Sequence, residues 1–317
     1  MYNLGEFPLA RAHFEQSLTL DEPHQHRFVV PTADVIVNCL SIGANVLQLL
    51  GYPEQGLARL HVALKRAREL AHPFTLVYAH FQAADFHRLR REGQAAQRHA
   101  EAVIALASEH GFAQRLAQGI MQRGWALAEQ GRVAEGIAQM RQGLAALQST
   151  GAKQGVPGRL GLLAEAHGKA GQVEEGLRVV AEALTMIDNN GERRRESELY
   201  CLKGELLLLQ VTGKQEVSSP LLVTAVGAEA ERGGAPLASS LQTEAEACFR
   251  QALDVACRQE AKSLELRAAM SLIRLWQQQG KCTEAHELLA PIYGWFTEGF
   301  DTADLQEAKA LLEELEG

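Results

Sequence analysis

Apolar residues recur along this chain at three- and four-residue spacing, broken at intervals by glycine-centred turns, which is the pattern of amphipathic helices packed in antiparallel pairs. Leu163 to Leu184 displays it in one tile: the end of a helix, a turn at Gly171, and a second helix. Leu163, Leu177, Val180 and Leu184 supply the apolar stripe, and Ala164 and Gly176 are small where the two backbones must approach.

The tile repeats. Turn positions fall at Gly5, Gly51, Arg90, Gly131, Gly171, Ser240 and Gly280, and their intervals of 46, 39, 41, 40, 69 and 40 give a repeat of about 40 residues with one insertion of about 29. Five residues after each turn stand Ala10, Gly56, Ala95, Gly136, Gly176, Ala245 and Ala285, every one Gly or Ala. Seven further on stand Ser17, Ala63, Ala102, Gly143, Ala183, Ala252 and Ile292, small in all but the last. An all-α solenoid of antiparallel helix pairs follows, in which units stack on one continuous core.

This register sets the organisation. Residues 1–20 read as a half repeat holding a second helix only, with an apolar face that self-association or an upstream region would cover. Pro23 and Pro31 mark 21–34 as a loop within the helical repeats of 21–210. First helices are expected near 35–50, 74–89, 114–130, 157–170, 196–210 and 262–279. Ser218, Ser219, Pro220, Gly233, Gly234 and Pro236 break the periodicity, so 211–239 reads as a flexible insertion inside the fifth pair, with room for a short helix at 223–231. Repeats resume over 240–300. Residues 301–317 form a capping helix whose Leu305, Ala308, Leu312 and Leu315 close the core.

Composition narrows the function. With 46% hydrophobic and 22% charged residues and no long apolar run, the chain reads as a folded protein without a membrane span, and the lack of a signal core implies the cytoplasm. A net charge of −8 argues against nucleic acid as partner. The short basic runs at Arg88, Arg90 and Arg91 and at Arg193 to Arg195 read as solvated helix ends. Cys39, Cys201, Cys248, Cys257 and Cys282 lack metal or disulfide spacing. Gly168-Lys169, Gly213-Lys214 and Gly280-Lys281 lack the remainder of a phosphate loop, and no nucleophile-base order stands out, so neither catalysis, cofactor nor metal is indicated.

Four stretches carry a resemblance: 124–146, 163–177, 198–208 and 261–315, with Gly124 and Gly204 at the small position of first helices. They resemble tetratricopeptide repeats of the longer, roughly 40-residue kind, and more specifically the C-terminal region of bacterial multidomain signalling ATPases that also carry class III adenylate/guanylate cyclase domains. The resemblance implies a right-handed superhelix, a regulatory role, and catalytic domains upstream. Arg194 and Arg195 depart from the aromatic residues that relatives carry there.

In such arrays the first helices line the concave face. On this register the resemblance assigns that face Asn38, Ser41, Asn45 and Gln48, then His80 and His87, then Gln118, Met121, Gln122 and Trp125, then Glu165 and Lys169, then Glu198 and Glu205, and finally Arg267, Arg274 and Gln277. Trp125 is the large aromatic among them, an anchor for a partner. Two readings follow. The chain is a non-catalytic scaffold whose concave face binds a protein or peptide, including the upstream ATPase or cyclase domains, or it is a small-molecule sensor domain of a bacterial regulator.

Overall fold

The computed structural model describes residues 1–19, 33–217 and 230–316, with side chains described outside 212–237. It is an all-α solenoid of helix pairs. The helices are α1 (Phe7–Thr19), α2 (Val35–Leu49), α3 (Pro53–Leu70), α4 (Pro73–Leu89), α5 (Gly93–Glu109), α6 (Ala113–Glu129), α7 (Val133–Ser149), α8 (Val156–Lys169), α9 (Val173–Asn190), α10 (Glu196–Val217), α11 (Ala230–Arg258), α12 (Lys262–Gln278), α13 (Cys282–Gly294) and α14 (Ala303–Glu316). The loop expected at 21–34 and most of the insertion lie outside the described residues; α10 runs to Val217 and α11 starts at Ala230.

Five pairs, all but α10–α11, turn through a residue with left-handed backbone, at Gly51, Arg91, Gly131, Gly171 and Gly280, φ between 61° and 91°. The turn expected at Arg90 therefore lies one residue later, and the first four positions are 40 residues apart. A second left-handed series separates the pairs at Ala71, Gly111, Gly151 and Gly191, again 40 residues apart, and then at Glu260. Such a residue after a helix lets its N–H reach back to carbonyls of the last turn: Gly191 donates to Ile187 and Ala71 to Arg68. Ser240 is not a turn. It lies inside α11, whose first buried described side chain is Ala245.

The small residues sit at the helix crossings. A Cβ on Gly136 would meet the Gly124 carbonyl oxygen and stand 2.9 Å from the Ala128 Cβ, so α6 and α7 touch backbone to backbone. In α5 the buried small residue is Ala96, not Ala95, the same one-residue offset as at the turn.

The superhelix comes back on itself. Phe7 and Ala10 of α1 are buried against Ala256, Ala261 and Leu264 from the far end, together with Val46, Leu49 and Leu50. The half repeat thus has its apolar face covered within the chain, which corrects the open face expected from a missing partner helix. The connection after α13 completes the closure: Glu298 accepts from the backbone N–H groups of Glu54 at 2.9 Å and Gln55 at 3.1 Å, and the Gly299 N–H donates to Glu54 at 2.9 Å. Ser263 Oγ donates to the Gln48 carbonyl at 2.5 Å, and Arg91 Nη1 pairs with Glu307 at 2.6 Å. No described helix is long and apolar enough to cross a membrane.

Candidate ligand-binding lumen

Closure converts the concave face into a lumen. With the turn at Arg91, the inner positions of the first helices recur every 40 residues: Asn38, Tyr78, Gln118, Gly158 and Glu198 form one column, and Asn45, Asp85, Trp125, Glu165 and Glu205 form the next. Contacts run along these columns. Tyr78 donates to Asn38 Oδ1 at 3.1 Å, Trp125 Nε1 donates to Glu165 at 3.1 Å, and Lys169 pairs with Glu129 of the preceding repeat.

His80 and His87 are not on this face. The one-residue offset turns them toward α5, where His80 Nδ1 and His99 Nδ1 share a hydrogen bond of 2.9 Å and His87 stacks on His99 with centroids 5.2 Å apart. Tyr78, Phe81, Asp85 and Arg88 take the inner positions instead. Asn38, Ser41, Asn45 and Gln48 lie where the ends of the superhelix meet, and all but the half-buried Asn38 are closed off. Asn45 Nδ2 donates to Gln82 Oε1 at 3.1 Å, a bond internal to the wall. Ser41, Asn45 and Gln48 therefore present no surface to a partner. Gln118, Met121 and Gln122 are buried beside a small side cavity, and Gln277 lies away from the lumen lining.

The remaining predicted residues come together. Trp125, Glu165, Lys169, Glu198, Glu205, Arg267 and Arg274 line a cavity of about 400 Å³ bounded by first helices α4, α6, α8, α10 and α12 and by α14. Leu162, Leu199, Leu206, Leu264 and Met270 give it apolar walls. Six cations and six carboxylates line it, so its net charge is near zero while its local fields are strong.

The charges are arranged in one belt. Asp85 accepts from Arg88 at 2.9 Å, Arg195 at 2.7 Å and Arg194 at 3.1 Å; Glu198 accepts from Arg88 at 3.0 Å; Asp304 pairs with Arg267 at 2.7 Å; and Glu307 pairs with Arg91 and Arg274. Burial alone would raise the Asp85 and Glu198 carboxyls. The arginines outweigh it, holding Asp85 far below the usual range and Glu198 at about 2. Glu205 behaves oppositely. Its exposed side chain lines the cavity, accepts from Ser271 Oγ at 2.9 Å, and has no ion-pair partner among the described residues. Desolvation by the cavity walls raises its pKa, and the Glu165 charge adds to the effect. Beside it, burial pushes the Cys201 thiol well up, so that sulfur is a poor nucleophile.

The basic runs read as solvated helix ends are corrected in part: Arg91 and Arg193 are exposed, and the others are wholly or partly buried. Arg88, Arg90 and Arg195 are buried, and Arg88 and Arg195 carry the belt. Asp85, Asp304 and Glu307 were equally unanticipated; the 40-residue column ending in Trp125, Glu165 and Glu205 was the available signal for Asp85. Cys39 and Cys248 are buried, Cys201 is half-buried, and Cys257 and Cys282 are exposed; all are free. Among the described residues no group of His, Cys, Asp and Glu is placed to hold a metal ion.

No protein family and no curated protein matches the chain. Among solved structures it is similar to a Signal Transduction ATPase with Numerous Domains protein with a tetratricopeptide repeat sensor from Pyrococcus horikoshii, at 14% identity and a TM-score of 0.49, over 98% of this chain and 43% of that one. A circular tandem repeat protein with novel repeat topology aligns at 13% identity and a TM-score of 0.28, over 88% of this chain and 69% of that one. The chain thus spans less than half the length of the first of these.

Proposed function

We propose that this helical repeat scaffold is a small-molecule sensor, whose lumen encloses a polar metabolite and whose closed ends report its presence. The observation that carries this reading is the cavity itself. At about 400 Å³ it lies within the roughly 300–1,000 Å³ of small-ligand sites, and it is too small for a folded partner. Its mixture of leucine walls with a few converging charged groups is the chemistry by which such sites orient a ligand.

The output of the sensor is a change in closure. Arg91, Arg267 and Arg274 contact both the lumen and α14, so a ligand that draws on these arginines competes with Asp304 and Glu307 for them. A regulatory arm acting on ATPase or cyclase domains of a larger protein is the setting that fits this output, and it rests on the resemblance in sequence. The test is a chain in which Trp276 and Trp295 are phenylalanine, leaving Trp125 as the sole indole. Titration with a metabolite library should change its emission, and the change should vanish on Leu209→Arg, which puts a longer, charged side chain in the lumen wall without adding an indole. Emission that responds to no small molecule, but to peptides, would reverse the reading.

A further inference from the structure

A second cavity of about 30 Å³ opens beside the lumen and shares Gly158, Leu162 and Arg195 with it. Its charged lining is Arg159, Arg194 and Arg195 against a single acid, Asp85. That acid is already engaged: Oδ1 accepts from Arg88 and Arg195, and Oδ2 from Arg194. Glu198 takes Arg88 at 3.0 Å and Arg195 at 3.8 Å. Glu192, near the mouth, gives both its oxygens to the Gly155 N–H at 3.1 and 2.8 Å.

Arg159 is left without an acid. Its Nη1 donates to the Gln154 carbonyl at 2.9 Å, and no carboxylate among the described residues pairs with it. Burial, and then repulsion from Arg194, Arg195 and Arg115, draws this guanidinium down to about 10, far below an ordinary arginine. Arg115 also lacks a carboxylate; it lies over the rings of Tyr78 and Phe81, at 5.0 Å from each centroid, and donates to Gln118. Counting only Arg88, Arg159, Arg194 and Arg195 against Asp85 and Glu198, the cluster holds two positive charges in excess. Arg159 is half-buried, so its unneutralised charge is only partly solvated and a ligand anion would complete it. Gly158 makes room for the arrangement: Arg195 Nε lies 2.8 Å from where its Cβ would be, so any side chain there would displace the guanidinium.

We propose that the small cavity is the anion subsite of the lumen: it has room for about two oxygens of the phosphoryl group of an organic phosphate, the rest of which lies at the junction with the lumen beside Gly158, with Arg159, Arg194 and Arg195 as its ligands. The organic body then lies in the larger cavity beyond Arg195, against Leu162 and Leu199, which deepens the sensor reading and rests on it. A phosphate monoester suits the site better than a single carboxylate because its two negative charges match the excess, and because guanidinium forks bind phosphoryl oxygens in pairs.

The experiment is calorimetry and thermal unfolding of the whole chain in inorganic phosphate against chloride at matched ionic strength, then with sugar phosphates beside the corresponding free sugars. Phosphate is expected to raise the melting temperature where chloride does not, and at least one ester is expected to bind more tightly than phosphate itself. Arg159→Met should weaken phosphate binding at least tenfold while melting no lower than the parent in chloride, because it removes an unpaired cation; Arg159→Lys should recover part of the affinity. Equal responses to phosphate and chloride, or an unchanged phosphate affinity in Arg159→Met, would overturn the subsite. Free sugars that bind in the lumen while phosphate does nothing would overturn it too, and leave the sensor reading standing. Phosphate held through Arg159 with no ester bound more tightly would overturn the placement of the organic body, and count against the sensor reading.

Discussion

The indole N–H of Trp125 donates to the Glu165 carboxylate at 3.1 Å, linking residues that occupy the same inner position in successive repeats. Trp125 is only 3% exposed, so it is a packing element as much as a lumen wall. Trp125→Phe keeps most of the packing and loses the charge-assisted bond, and should cost about 1–3 kcal/mol. Trp125→Ala empties the site and should cost about 3–5 kcal/mol in urea unfolding. Equal costs for the two would show that ring packing contributes nothing.

Helix crossings give a graded prediction. A Cβ on Gly136 would collide with the Gly124 carbonyl, whereas one on Gly176 would stand 3.1 Å from a Leu206 methyl and 3.3 Å from the Ala164 carbonyl. Backbone cannot yield as a leucine tip can. Gly136→Ala should therefore destabilise by about 1–3 kcal/mol and Gly176→Ala by less, with Gly176→Leu restoring the full penalty. Melting temperatures of the three variants check the order.

Left-handed turns built from non-glycine residues store strain. Ala71 has φ 49° and an exposed side chain, where the same position forty residues on is Gly111. Relieving it with Ala71→Gly should stabilise the chain by up to about 1 kcal/mol, the left-handed penalty less the entropy a glycine adds to the unfolded state. A lower midpoint in denaturant would show the strain to be absent.

The same kind of residue hides the register of α4 from the sequence pattern. Glycine marks the turns at Gly51, Gly131 and Gly171, so the repeat length was legible, and with it the helix pairs and most inner positions after Trp125. Arg91 does a glycine's work without being one, so the sequence pattern puts the turn on Arg90. That single residue moved the inner face of α4 from Tyr78, Phe81, Asp85 and Arg88 onto His80 and His87. Closure was illegible for a different reason. Glu54 and Glu298 meet across 244 residues through backbone amides, a contact no local pattern encodes.

Acid should weaken the α4–α5 pair. Burial, with the nearby Arg68, lowers His80 to about 4; burial, with His80, His87, Arg98 and Arg68, lowers His99 to about 3, and Glu92 accepts from His87. Histidines held neutral in the fold protonate more readily when unfolded, so the stability they permit is intact above the ordinary histidine pKa near 6.5 and is lost as pH falls from there toward 4. Denaturation midpoints at pH 7.5 and 5 should differ less in His99→Gln than in the parent.

Native mass spectrometry of the whole chain after incubation with a total metabolite extract tests the enclosed lumen most directly. One small molecule per chain, of a few hundred daltons as a cavity of about 400 Å³ allows, should survive gentle ionisation and be missing from the folded Leu209→Arg chain. An adduct of equal abundance on both chains, or none on either, would contradict a sensor built around that lumen.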